Sequence, residues 1–130
     1  FIATAAVADW RVASQSTEKI KKDGSGQPPA LNFVENPDIL ARVAQSPRAQ
    51  SGALYCVGFA AESHDLLAHA LEALRKGVPL LVGNIGPATF GQDDNALLLV
   101  DEQGHRELPH ASKRALAQQL VAEIARRLPR

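Results

Sequence analysis

Leu54-Tyr55-Cys56-Val57-Gly58-Phe59-Ala60-Ala61 is the clearest strand signal in the chain: a continuous apolar run of the length a strand takes when both of its faces are covered. Ser63 then caps a helix on which Leu66, Leu67, Ala70, Leu71 and Leu74 fall on one face. Arg75-Lys76-Gly77 closes that helix with basic residues over its carbonyl end, and Pro79-Leu80-Leu81-Val82-Gly83-Asn84 follows as a second short buried strand. Strand, helix and strand at this spacing form a βαβ unit, which implies a parallel pair and a right-handed crossover. Ligands of such sheets lie outside the carboxyl ends of the strands. Here those ends are Phe59-Ala60-Ala61-Glu62 and Gly83-Asn84.

Working outward, Phe1 to Ala8 is another short apolar run, expected as a strand buried on both faces and ending at Ala8-Asp9-Trp10. Asp9 to Ala30 sustains neither period; with Glu18-Lys19-Ile20-Lys21-Lys22 and Asp23-Gly24-Ser25-Gly26-Gln27-Pro28-Pro29 it reads as a long flap, either a cover for a ligand or a disordered linker. Leu31 to Val34 alternates briefly. Asn36-Pro37-Asp38 then offers a cap, a first-turn proline and an acidic first turn to a helix with Ile39, Leu40 and Val43 inward, ended by Ser46-Pro47. On the far side, Ala96 to Asp101 is a further strand, Gln103-Gly104 a turn before Glu107-Leu108, and Ser112 the start of a last helix with Leu116, Leu120, Ile124 and Leu128 in one stripe. The expected class is α/β with a mostly parallel sheet, one domain over residues 1–130 with the flap at about 9–30.

Composition bounds the function. The 130 residues are 45% hydrophobic and 22% charged, which suits a folded globular chain. Fourteen basic and fourteen acidic residues cancel, so the field that drives sequence-independent binding to nucleic acid or anionic membrane is missing. Cys56 is the single cysteine; it excludes an intrachain disulfide and a multi-cysteine zinc site, reads as an inert core thiol, and fits a cytoplasmic protein. No apolar stretch reaches membrane-spanning length. A chain that starts with Phe1 and holds no Met is expected to be a processed product or part of a longer protein.

Several residues have the chemistry for a nucleotide. Asp9, at a strand end, suits a divalent ion or a ribose hydroxyl, or else caps a loop. Lys19, Lys21 and Lys22 suit phosphates and the charge that grows in phosphoryl or nucleotidyl transfer, or else form solvated surface. Phe59 is either core or a platform for a base or sugar. Asn36 to Asp38 present backbone N–H groups at a helix start, and Glu62 and Asn84 are further polar strand ends. No nucleophile elbow, dinucleotide fingerprint or P-loop is present.

Ala5-Ala6-Val7-Ala8-Asp9-Trp10-Arg11, Glu18 to Lys22, Glu35-Asn36-Pro37-Asp38-Ile39, Val57 to Glu62, Phe90-Gly91-Gln92-Asp93-Asp94-Asn95 and the Ser112-Lys113 helix start occur in one order. Together they resemble phosphopantothenoylcysteine synthetase, the carboxyl-terminal part of the bifunctional bacterial coenzyme A biosynthesis flavoprotein. The resemblance implies a Rossmann-like three-layer fold, of which the amino-terminal half lies outside this chain. It implies a ligase that uses CTP and Mg2+ to convert 4'-phosphopantothenate into an acyl-cytidylate and joins it to L-cysteine. It makes Lys19 catalytic and a CTP contact, Asp9 a nucleotide and metal ligand, and sets Ala3, Asn36, Pro37, Asp38, Ile39, Phe59 and Lys76 around the nucleotide. It also implies a homodimer, and an FMN-binding decarboxylase domain in the full-length protein but not here. Where the family carries two phosphate-binding lysines four residues apart, this chain has Glu72 and Lys76, so Arg75 or a residue of another chain is a further candidate for the missing charge. The alternative is a non-catalytic nucleotide-binding or dimerisation module that keeps the half-fold.

Overall fold

The computed structural model describes residues 1–5, 7–60, 66–84 and 92–128. The expected cap Ser63, the strand-end Glu62, the Phe90-Gly91 part of the shared motifs and the side chains of Leu66 and Leu67 lie outside what is described. Two compact units are present, one of Phe1–Thr4 with Ile39–Arg130 and one of Ala5–Asp38.

The larger unit is built on a four-stranded sheet in the order β3 (Val57–Ala60), β4 (Leu80–Asn84), β5 (Asp94–Asp101), β6 (Gly104–Ser112). The smaller unit holds β1 (Trp10–Val12) and β2 (Phe33–Glu35). The expected βαβ unit is there: β3 and β4 are parallel, with Phe59 opposite Val82, and α3 (Leu66–Arg75) links them. Beyond β4 the sheet turns antiparallel twice. The α/β class stands, but the sheet is mixed rather than mostly parallel. For the second of these steps the reason is local: Asp101 pairs with Gly104 across a tight reversal, which leaves no room for a crossover and makes a hairpin. Glu107-Leu108 is only part of β6, the rest of which Pro109 and a run of polar, exposed residues conceal in the sequence.

Side chains alternate across the sheet and divide the core into layers. On one face Val57, Leu80, Val82, Leu97, Leu99 and Leu108 pack with Leu116, Leu120 and Ile124 of α4 (Lys113–Arg127). On the other, Leu81 and Val100 pack with Ala70 and Ala73 of α3. Beside these, α1 (Ile39–Ala44) and α2 (Pro47–Gln50) close over Cys56 and Val78. Helix, sheet and helix give the expected three layers. In α3 Leu71 is 46% exposed and Ala73 turns inward instead; in α4 the buried stripe stops at Ile124, with Leu128 exposed. At the end of α3 Gly77 adopts φ +90°, and the amide of Val78 donates to the carbonyl of Ala73, a glycine-dependent helix stop.

The expected strand over Phe1 to Ala8 is reduced to a parallel bridge at Ile2 and Val57, flanked by the Val57 amide on the Phe1 carbonyl and the Ala3 amide on the Val57 carbonyl, both 2.9 Å. Phe1 and Ile2 are 43% and 44% exposed rather than buried, because this is a sheet edge among the described residues and the alanines that follow have little surface to bury. Ser46-Pro47 ends α1 as expected and also opens α2, the Ser46 hydroxyl accepting from the Ala49 amide. Among the described residues no helix is long and apolar enough to cross a membrane.

The smaller unit is an antiparallel ribbon. Trp10, Arg11 and Val12 of β1 pair with Glu35, Val34 and Phe33 of β2. Trp10 to Val12, read as part of the flap, are therefore strand. The remaining loop has neither helix nor strand. Its turns are side-chain made: the Ser25 amide and hydroxyl both donate to the carboxylate of Asp23, at 2.9 and 2.5 Å, and those bonds hold that carboxyl below its ordinary pKa.

Candidate functional site

Parallel strands β3 and β4 direct their carboxyl ends the same way, and the antiparallel step to β5 and back brings the end of β6 to that edge as well. The start of α4 follows directly from β6, with the Ser112 hydroxyl accepting from the Ala115 amide at 3.3 Å. One edge of the larger unit thus gathers Phe59, Asn84 and the amino end of a fifteen-residue helix. Phe59 shares its face with Val57, the α4 side, yet keeps 37% of its surface exposed at the end of the short strand β3. An aromatic ring left open there is a surface on which a planar group can stack. Asn84, half-buried at the end of β4, accepts at Oδ1 from Nδ2 of Asn95 at 2.9 Å.

Gly58 faces the opposite way, and its lack of a side chain is required. A Cβ built there would lie 2.6 Å from Cδ2 of Leu40 and 2.9 Å from Cδ1 of Leu81. Close packing of α1 on β3 therefore sets the position of the neighbouring Phe59.

The expected site residues divide between the units. In the larger one, Ala3 is tied by its amide to β3, Ile39 is the first residue of α1 and 49% exposed, and Phe59 stands at the sheet edge. Lys76 lies past the end of α3, its Nζ 3.3 Å from Glu72 Oε1, both side chains well exposed. In the smaller unit, Asp9 is exposed and its carbonyl accepts from the Asn36 amide at 2.7 Å. Lys19 is exposed in the loop, whose residues Ile20 to Ala30 enclose an open hollow of about 880 Å³ that includes Lys21 and Lys22.

Asn36 departs from expectation. Helix α1 begins only at Ile39, so Asn36 is not its cap and Pro37 is not in its first turn. Both ends of its carboxamide are used inside the smaller unit: Nδ2 donates to the Ala8 carbonyl at 2.7 Å, and Oδ1 accepts from Arg11 at 3.0 Å. The same guanidinium nitrogen donates to the Glu35 carbonyl. Asn36 closes the ribbon base, which pre-empts a cap.

A second charged group lies at the opposite edge of the sheet. Glu123, with its side chain 8% exposed, meets Arg106 and Arg127 at 2.8 Å and also Arg126. Arg127 reaches Asp101 at 2.7 Å. This group is not among the candidates expected from the sequence, where its one signal is Glu123 beside Ile124 on the inner stripe with Arg126 and Arg127 three and four residues on. Cys56 is buried, and burial pushes its thiol pKa up, as fits an inert core thiol.

A mixed sheet between helices, with an exposed aromatic ring and a helix start at one rim, defines an α/β domain. The family model for the DNA/pantothenate metabolism flavoprotein C-terminal domain matches residues 1–128, and the chain belongs to that family. It is 40% identical over 121 residues to the coenzyme A biosynthesis bifunctional protein CoaBC of Vibrio cholerae, covering 90% of this chain and 30% of that protein. With CoaBC of Escherichia coli strain K12 it shares 39% over 132 residues, 98% of this chain and 32% of the relative. The chain thus spans about a third of the length of these curated relatives. The crystal structure of a CoaBC C-terminal domain superposes with a TM-score of 0.66 at 24% identity, covering 93% of this chain and 50% of that one. The DNA/pantothenate metabolism flavoprotein from Streptococcus pneumoniae gives 0.68 at 17% identity, over 95% and 61%. These likenesses establish a shared fold.

Proposed function

We propose that this chain is the nucleotide-binding portion of a phosphopantothenate–cysteine ligase of coenzyme A biosynthesis. In the proposed reaction a carboxylate oxygen of 4'-phosphopantothenate attacks the α-phosphorus of CTP. The α–β phosphoanhydride bond breaks, pyrophosphate leaves, and an acyl-cytidylate forms. The amine of L-cysteine then attacks the acyl carbon, the C–N bond forms as CMP departs, and the amine proton passes to solvent. The products are phosphopantothenoylcysteine, CMP and pyrophosphate.

The observation that carries this reading is the family match over residues 1–128, with Phe59 open at the sheet edge where α/β folds bind ligands. Phe59 stacks on the cytosine, and Asn84 offers a polar contact beside it. Ala3, Pro37, Asp38 and Ile39 line the nucleotide; Asn36, whose amide is already bonded, acts by shaping that segment. Lys19 neutralises charge as the α-phosphorus is attacked. Lys76 is assigned to the phosphates by the family resemblance alone: it follows α3, at the end of the crossover opposite to Phe59.

Among the described residues no three acidic, histidine or cysteine side chains gather as a metal site. The exposed carboxylate of Asp9 still fits magnesium, an ion that keeps most of its waters and is held by one or two carboxylates together with substrate phosphates. Bound there, magnesium would supply neutralisation of the triphosphate. A second copy of the chain completes the pantothenate pocket, and an FMN-dependent decarboxylase domain accompanies it in the full-length protein.

The test is calorimetric titration of CTP into the intact protein before and after Phe59→Ala, with CMP and pyrophosphate release followed in parallel. Loss of CTP binding without a gain of ATP binding supports the site. CTP binding without any turnover in the intact protein would instead favour a non-catalytic nucleotide-binding or dimerisation module.

A further inference from the structure

Asn95 is a polar side chain in the apolar layer under α4, only 6% exposed, and its surroundings determine which way its amide points. Between the pairs Asn95–Ala111 and Leu97–Leu108 the register of β5 and β6 breaks, with Pro109 and His110 standing against the single residue Ala96. Pro109 has no N–H to give to the ladder, so a bulge is the economical solution. The Ala96 amide donates instead to Oδ1 of Asn95 at 2.8 Å. Nδ2 of Asn95 then donates to Oδ1 of Asn84 at 2.9 Å.

The polarity of this chain is forced from one end. A backbone N–H can only donate, so the end of Asn95 that faces Ala96 must be its oxygen, and the end that faces Asn84 its NH2. Asn84 must accept, which turns its own NH2 away from Asn95. That group has no partner among the described residues. Val57, Val82 and Leu97 lie on the α4 side of the sheet, so Phe59, Asn84 and Asn95, each two residues from one of these, lie on that same side. Phe59 pairs with Val82 in the parallel pair, which makes Asn84 its diagonal neighbour, about 8 Å away between Cα atoms from strand spacing and rise.

We propose that Asn95 is a positioning residue for the nucleotide site, fixing the Asn84 carboxamide so that it offers an N–H donor to an acceptor atom of the nucleoside beside the Phe59 ring. The proposal rests on the nucleotide-binding reading above and extends it to a residue that never touches the ligand.

Two substitutions reverse the outward polarity of Asn84 by different routes. Asn84→Asp keeps an oxygen for the Asn95 NH2 but presents an acceptor outward. Asn95→Asp still accepts from Ala96, and makes Asn84 turn its NH2 inward and its oxygen outward. In the intact protein, with thermal unfolding and calorimetric titrations of CTP and of CMP, each variant should bind both nucleotides about tenfold or more weakly. Asn84→Asp should unfold within a few degrees of the wild type. Wild-type affinity for both nucleotides in both variants overturns the positioning role and leaves the nucleotide reading standing. A loss confined to CTP is repulsion of the triphosphate by the new carboxylate and also overturns it. Affinity lost only where the melting temperature collapses makes Asn95 a purely structural tie. Failure of the wild type to bind either nucleotide overturns both readings.

Discussion

The guanidinium of Arg127, in the last turn of α4, lies 2.7 Å from the carboxylate of Asp101 at the end of β5 and 2.8 Å from that of Glu123 one turn back. It joins the helix to the hairpin at the edge of the sheet remote from Phe59. Burial alone would raise the pKa of Asp101, but hydrogen bonds from Arg127 and the Gln103 amide, the charge of Arg127 and the Gly104 amide together hold it below the ordinary carboxylate range. A carboxyl depressed in the fold gives stability that is complete above its unfolded pKa, about 3.9, and is lost as pH falls through the lower folded value. Asp101→Asn should therefore lower stability at neutral pH and lose its difference from wild type in strong acid, as read by urea unfolding across pH. Arg127→Ala leaves two largely buried carboxylates short of a partner and should cost about 2 kcal/mol at neutral pH.

Gly58 is a packing requirement. Its φ lies outside the positive region reserved for glycine, so alanine is admissible for the backbone, and the cost comes from the tips of Leu40 and Leu81. Gly58→Ala should destabilise by about 1–3 kcal/mol. Leu40→Ala removes the nearer obstacle, and in that background the cost should shrink. A double-mutant cycle by urea unfolding gives the coupling; additive effects would place the clash elsewhere.

Asn36 should act on the ribbon and leave the sheet alone. Asn36→Ala removes the donor to Ala8 and the acceptor for Arg11, about 1 kcal/mol for each bond at most. Amide exchange should accelerate at Asn36 and along β1 and β2 while the amides of β4 and β5 keep their protection.

Lys19→Gln should lower turnover of the intact protein about a hundredfold, the usual effect of removing one stabiliser of transition-state charge, and change CTP affinity far less. Turnover unchanged at saturating CTP, magnesium and cysteine would remove Lys19 from the chemistry.

Glu72 meets Lys76 at 3.3 Å on exposed surface, where such a pair adds little stability. Glu72→Lys should leave the melting temperature nearly unchanged, tighten CTP binding severalfold and steepen its salt dependence. If neither moves and Arg75→Ala weakens binding, Arg75 supplies the phosphate charge.

The parts of the fold legible in the sequence are those whose signal is contained in one element. The β3–α3–β4 unit, the Ser112 cap and the Leu116, Leu120, Ile124 stripe follow from apolar period and cap chemistry. The antiparallel turn of the sheet was not legible, because β6 is exposed along most of its length and interrupted by Pro109, so its alternation is weak. At the site, Phe59 could be placed at a strand end from its run of neighbours. Asn36 could not be assigned correctly, since Asn before Pro-Asp signals a cap, and only the return of the chain past Ala8 and Arg11 gives its amide other partners. Asn95 and Glu123 were hidden for the same reason: each is a polar residue inside an apolar stripe whose partner belongs to another element.

The reversal between Asp101 and Gly104 also bears on how quickly the chain folds. The hairpin it creates and the helix that covers it occupy one unbroken stretch, Asp94 to Arg127, so most of that layer forms from near neighbours, and hairpins of this kind close in about 1–10 μs. The edge made by Ile2 and Val57 must instead close a long loop. Leu99, inside the hairpin layer, should then slow folding when truncated. Loss of the Phe1 to Ala3 edge should leave the folding rate almost untouched and hasten unfolding, making that edge the place where the larger unit first comes apart.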